Sequence, residues 1–138
     1  MSGATLRVRC PDCGGSAARE VSSYLSMSGG LRWCAETHCA ACGFMLQDVD
    51  DELSEAERAA ILAEEGLFAL RFTPADGADV RVRSAVRQAL SLTFAEVTAL
   101  FRQCPQQPVT GVRAELDLIA ARIRRAVPAA EPVVMPLP

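Results

Sequence analysis

Two short stretches of this chain carry the residues for chemistry: Cys10-Pro-Asp-Cys13-Gly14 and Cys39-Ala-Ala-Cys42-Gly43. In each, two cysteines three positions apart can aim their sulfurs at one metal ion. The glycine that follows permits a tight turn, which brings backbone amides toward the thiolates. Together the pairs supply four soft ligands, the donor set of a tetrahedral zinc centre, and an iron centre fits the same set. A redox Cys-x-x-Cys normally occurs once, beside a βαβ unit, whereas here the motif is paired. Four thiolates also close the ligand shell, while a catalytic zinc keeps one position for water. The expected cofactor is therefore one structural Zn2+ on Cys10, Cys13, Cys39 and Cys42. His38 adjoins Cys39 and could replace a ligand; the reading adopted places it exposed at a strand end. Cys34 is expected as a small packed side chain, and Cys104 as a core thiol.

The elements around the knuckles read as short strands. Leu6, Val8 and Cys10 alternate with Arg7 and Arg9; a second strand is expected over 20–27, a third over 31–37 and a fourth over 44–46. Ser28-Gly29-Gly30 marks the turn of the central hairpin, which absorbs the 25 residues between the two cysteine pairs. Ser54-Glu-Ala-Glu57 is a capping box, so a helix should start there and stop at Gly66. Beyond it the pattern predicts a strand at 67–72 and a turn at 74–77. Helical spacing follows through Val82, Val86, Ala89 and Leu90. A second capping box, Thr93-Phe-Ala-Glu96, opens a helix that ends at Cys104-Pro105. The stripe Val112, Leu116, Ile119, Ile123 and Val127 predicts a longer helix, and Val133-Val134-Met135 an edge strand. The predicted fold class is α+β: a small antiparallel zinc ribbon over 1–50, an acidic linker helix over 51–66 and a β-α-α-β-α-β domain over 67–138.

The paired Cys-x-x-Cys-Gly motif resembles the zinc-ribbon family, over roughly residues 7–47. The second half resembles the C-terminal domain of the bacterial ribosomal stalk protein in its element order and in the run from Val80 to Leu100. That resemblance implies a helical hairpin with Leu92 at the bend and Glu96 entering its second helix. It also implies a surface for translation factors, and there this chain departs: Ser84 and Ala95 stand where the family has lysines, Arg83 where it has an aliphatic residue, and Ser91 and Thr93 where it has glycines. Only Arg87 keeps its type. The scaffold is thus expected without the factor-binding surface.

Charge narrows the function classes. Residues 48–66 carry a net −7, against +1 before them and +3 after. No clustered basic face favours general nucleic-acid binding. No apolar run approaches a membrane span, and the N-terminal MSGATLRVRC lacks the apolar core of a secretory signal, so a cytoplasmic chain with reduced thiols is expected. One histidine without a placeable partner and no phosphate-binding glycine loop argue against an enzyme, and no small-molecule substrate is expected. The expected function is a non-enzymatic protein-binding module. Its specific form resembles an immunity protein that binds and neutralises a cognate bacterial toxin; the alternative is a ribosome- or nucleic-acid-associated zinc-ribbon regulator. The expected partner surface comprises Asp48, Asp50, Asp51, Glu52, Glu55 and Glu57 for electrostatic steering, with Tyr24 and Trp33 as apolar anchors.

Overall fold

A computed structural model describes residues 2–138 and divides into two compact units, Met1–Gly66 and Leu67–Pro138. The fold is α+β, as the sequence predicts.

The first unit is a four-stranded antiparallel meander of β1 (Gly3–Arg9), β2 (Ser16–Leu25), β3 (Leu31–His38) and β4 (Met45–Asp50). Helix α1 (Glu55–Glu65) follows and packs on β1. The strand register sorts the side chains by face. Ala4, Val21 and Ala35 lie in one cross-strand row, and Leu6, Arg19, Thr37 and Leu46 in another on the same side. This face is the buried one: Ala4, Val21, Trp33, Ala35 and Thr37 are all under a tenth exposed. Helix α1 brings the fully buried Ile61. Its capping box forms as predicted, with Ser54 and Glu57 exchanging hydrogen bonds, and Gly66 ends it at φ 82.

Two expectations change here. Strand β4 runs to Asp50 instead of stopping at Leu46, so Asp48 and Asp50 are strand residues. The helix expected as a linker packs on the first sheet and holds it at both ends: Glu65 accepts a hydrogen bond from the Gly3 amide at 3.0 Å, and Glu57 pairs with Arg19. Amphipathic spacing shows that a helix has a face to bury, but not which sheet will cover it.

The second unit contains β5 (Phe68–Arg71), the short α2 (Pro74–Ala78), α3 (Val80–Leu90), α4 (Phe94–Gln103), β6 (Val109–Gly111), α5 (Arg113–Ala126) and β7 (Val133–Pro136). Its sheet has the order β6-β5-β7, antiparallel throughout. The predicted apolar stripes meet in one core of Leu70, Phe72, Val86, Phe101, Leu116 and Ile123 with their neighbours. The stretch expected as a turn at 74–77 is α2, because Thr73 caps it and Pro74 occupies its first position. Cys104 is exposed at the end of α4, not a core thiol.

Ser91 ends α3 in the left-handed region, φ 54 and ψ 44, and is the one non-glycine residue with positive φ among those described. A side chain is strained there. Ser91→Gly should stabilise the second unit by about 0.5 kcal/mol, the relief of strain exceeding the added freedom of the unfolded chain. A denaturant midpoint that falls in this variant would show that the serine is favoured at the bend.

Candidate metal centre

The two knuckles are built alike. Cys10 leads into a turn in which the Gly14 amide donates to the Cys10 carbonyl at 3.0 Å and the Cys10 amide donates to Gly15 at 2.7 Å. Cys39 repeats this: the Gly43 amide donates to the Cys39 carbonyl at 2.8 Å and the Cys39 amide to Phe44 at 2.9 Å. Gly14 and Gly43 sit at φ 75 and 78, where any side chain would be strained. The first knuckle joins β1 to β2 and the second joins β3 to β4. Since β2 pairs with β3, both turns emerge at the same end of the sheet.

That placement brings four sulfurs together. Cys10 Sγ lies 3.6 Å from Cys42 Sγ, Cys13 Sγ lies 3.7 Å from Cys39 Sγ, and all four fall within 4.8 Å of one another. A tetrahedral ion with metal–sulfur bonds of about 2.3 Å requires sulfurs about 3.8 Å apart. The donor set and its spacing therefore fit one metal ion. Cys10 and Cys39 are buried beside Ala17, Val8 and Phe44, while Cys13 and Cys42 face outward. One side of the cluster is anchored in apolar packing and the other is open for the ion to enter.

Electrostatics show what the cluster lacks without a cation. Backbone amides of Cys42 and Ala41 donate to the Cys39 sulfur and, against the effect of burial, lower its thiol to about 7. The Phe44 amide acts in the same direction on Cys42, but burial and the three neighbouring thiols outweigh it and push Cys42 up to about 12. Cys13 is likewise raised despite the Gly15 amide. A first thiolate forms easily, and the next ones are opposed by the charge already there. A divalent cation at the centre would offset that repulsion.

His38 and Cys34 stand outside the cluster. His38 is exposed at the end of β3, as expected. Cys34 is half-buried, and its sulfur accepts a hydrogen bond from Gln47 Nε2 at 3.3 Å.

The residues expected as a partner surface separate into different roles. Trp33 is only 4% exposed and packs inside the first unit, so it is no surface anchor. Tyr24 is half-buried near the hairpin tip, where Leu25 and Met27 are 62% and 108% exposed. Asp50, Glu52 and Glu55 are exposed, and Asp51 pairs with Arg32 at 3.1 Å. Asp48 and Glu57 are occupied internally by Arg19, a residue that the sequence reading passed over. Its guanidinium holds Asp48 through two hydrogen bonds at 3.0 and 3.1 Å, Glu57 at 3.2 Å and Thr37 at 3.0 Å. The alternation of β2 places Arg19 on the buried face, and a lone arginine there was the available signal.

The Asp48 carboxylate holds the Arg19 guanidinium further into its charged range. Burial opposes ionisation of Glu57, but hydrogen bonds from Ser54 and Arg19 prevail and hold its carboxyl below its ordinary 4.5. The stability from Glu57 is therefore full above its unfolded value and lost as pH falls through the folded one. Arg19→Met should destabilise the first unit by about 2 kcal/mol, because it strands carboxylates that remain partly buried. Thermal melts of metal-loaded protein should show this above pH 5, with the gap to the parent narrowing in acid. An unchanged melting temperature would mean that solvent already screens the cluster.

Comparison with known proteins finds no matching family model, no matching curated protein and no matching solved structure. Among the described residues no helix is long and apolar enough to cross a membrane.

Proposed function

We propose that this chain is a non-enzymatic protein-binding module whose first unit is organised by one structural zinc ion, and that its specific role is to bind and neutralise a bacterial toxin, as an immunity protein does. The observation that carries the reading is the cluster of four sulfurs within 4.8 Å. Four thiolates saturate a tetrahedral ion and leave no position for a substrate or an activated water, which suits a scaffold better than a reaction centre. The exposed Leu25 and Met27 at the hairpin tip supply apolar area of the kind that protein interfaces bury. Glu52 and Glu55, exposed and without a side-chain partner, and Asp50, exposed and accepting only from the Glu52 amide, are placed to steer a basic partner.

A second reading has its own support. The Arg87 guanidinium stacks 4.5 Å from the centroid of Phe94, and Phe94 is 72% exposed. A cationic aromatic platform of this type can stack on an unpaired base, which suits a ribosome- or nucleic-acid-associated regulator. Affinity purification from the native host separates the two. A single stoichiometric protein, and growth rescue on co-expression with a toxin encoded nearby, support the first. Ribosomes or RNA that co-purify and are lost in Phe94→Ala support the second.

A further inference from the structure

The face of the first sheet opposite the buried one carries an arrangement that the fold does not use. Thr5, Glu20, Glu36 and Gln47 form one cross-strand row, with Glu20 and Glu36 directly opposed on neighbouring strands. Like charges so placed repel, their Cβ atoms being about 5 Å apart. Both are exposed, and among the described residues neither carboxylate has a hydrogen-bond or ion-pair partner. Arg7 stands in the next row, opposite Ala18, outside ion-pair distance of either carboxylate. The two glutamates border a half-open cavity of about 470 Å³ that His38, Met45 and Gln47 also line.

The outermost strand beside this cavity is β4, and no strand pairs its far edge among the described residues. On the open face β4 presents Met45 and Val49, 75% and 45% exposed, on either side of Gln47. Such an apolar edge with free backbone groups is a template for one more strand.

We infer that the open face and free edge of the first sheet are the docking site for an extended segment of a partner protein carrying arginine or lysine, which adds alongside β4 and places its cationic group between Glu20 and Glu36. The inference rests on the protein-binding reading above and names the chemistry of the partner. Charge selects the occupant. Two copies of this chain paired edge to edge would set Asp48 and Asp50 of β4 against the same acids, with no basic residue in the strand to answer them. A nucleic-acid backbone would meet carboxylates. A basic strand relieves the repulsion between Glu20 and Glu36. An added strand would lie about 10 Å from β3 and about 15 Å from β2, so an arginine extended across Gln47 reaches Glu36 within the joint span of the two side chains and meets Glu20 where that glutamate leans toward β3.

The test uses the full metal-loaded chain, isotopically labelled, with a blocked octapeptide of alternating arginine and valine as the probe. The peptide should shift the amide resonances of Met45–Asp50 and slow their exchange with solvent, more weakly as salt rises. The double variant E20Q/E36Q should bind it about tenfold more weakly, as expected for loss of a charge-assisted contact worth about 1.4 kcal/mol. Its melting temperature should stay level or rise, because the substitution removes a repulsion; this separates lost docking from lost folding. V49R should weaken the peptide as well. Equal affinity in E20Q/E36Q, or shifts confined to other strands, would overturn the inference. So would an oligouridine that moves the same amides in place of the peptide, or a dimer in sedimentation that V49R dissolves. A native protein partner that binds E20Q/E36Q as tightly as the parent would remove this surface but leave the protein-binding reading intact. Recovery of RNA alone from the host would remove that reading itself.

Discussion

Cys39→Ser should release the metal and unfold residues 2–66, with loss of the four-stranded sheet signal in circular dichroism. Cys39 is fully buried, it opens the second knuckle, and its sulfur sits 3.7 Å from Cys13 Sγ. A serine hydroxyl at that position is a poor ligand for a soft site. The effect is large because the knuckles have little apolar support of their own. The apolar core beneath the knuckles is only Cys10, Ala17 and Cys39 with Val8 and Phe44 against them. The forty-odd residues of the ribbon, 7–47, bury too little by themselves to fold unaided. A structural zinc contributes about 10–16 kcal/mol of apparent binding free energy, and that binding is coupled to folding. His38→Ala should keep the metal, since His38 lies outside the sulfur cluster. Retention of one metal per chain in Cys39→Ser, with the sheet intact, would take Cys39 out of the ligand set.

Chelation of the full chain should melt the first unit and leave the second folded. The second unit owns a continuous core in which Phe72 and Phe101 pack with ring centroids 5.7 Å apart and Ile123, Val82 and Val86 are completely buried. None of those contacts involves a cysteine of the cluster. With a chelator present, heating should therefore show one residual cooperative transition, with the helical signal of α3, α4 and α5. Ile123→Ala should lower that transition by about 3 kcal/mol through the cavity it leaves, and should not alter metal content. If chelation abolishes all structure in one step, the two units fold as a single cooperative body.

The sequence disclosed the parts of this molecule that rest on local rules. Both knuckles were legible because a shared metal site calls for the Cys-x-x-Cys spacing and the turn imposes a glycine, and Gly14 and Gly43 do adopt positive φ. Both capping boxes were legible for the same reason: Ser54 with Glu57 and Thr93 with Glu96 satisfy helix-end amides within four residues. What was not legible depends on contacts distant in sequence. Arg19 became the centre of an ion cluster only because register sets it beside Thr37 and α1 delivers Glu57. Asp48 read as part of an acidic partner surface until β4 extended along β3 and Arg19 took up its carboxylate. Trp33 looked like a candidate anchor because its position near the hairpin tip is local, whereas the helix that makes its face the buried one is not. The acidic belt thus divides into a partly buried portion that Arg19 ties into the fold and an exposed portion, a division that composition alone cannot make.

The central claim is the four-sulfur zinc centre, and one measurement addresses it most directly: elemental analysis with X-ray absorption on the full chain, purified without added metal or chelator. The account predicts one zinc per chain with four sulfur neighbours at about 2.3 Å and no nitrogen in the shell. Protein that is folded and metal-free, or a shell containing an imidazole nitrogen in place of one sulfur, would contradict it.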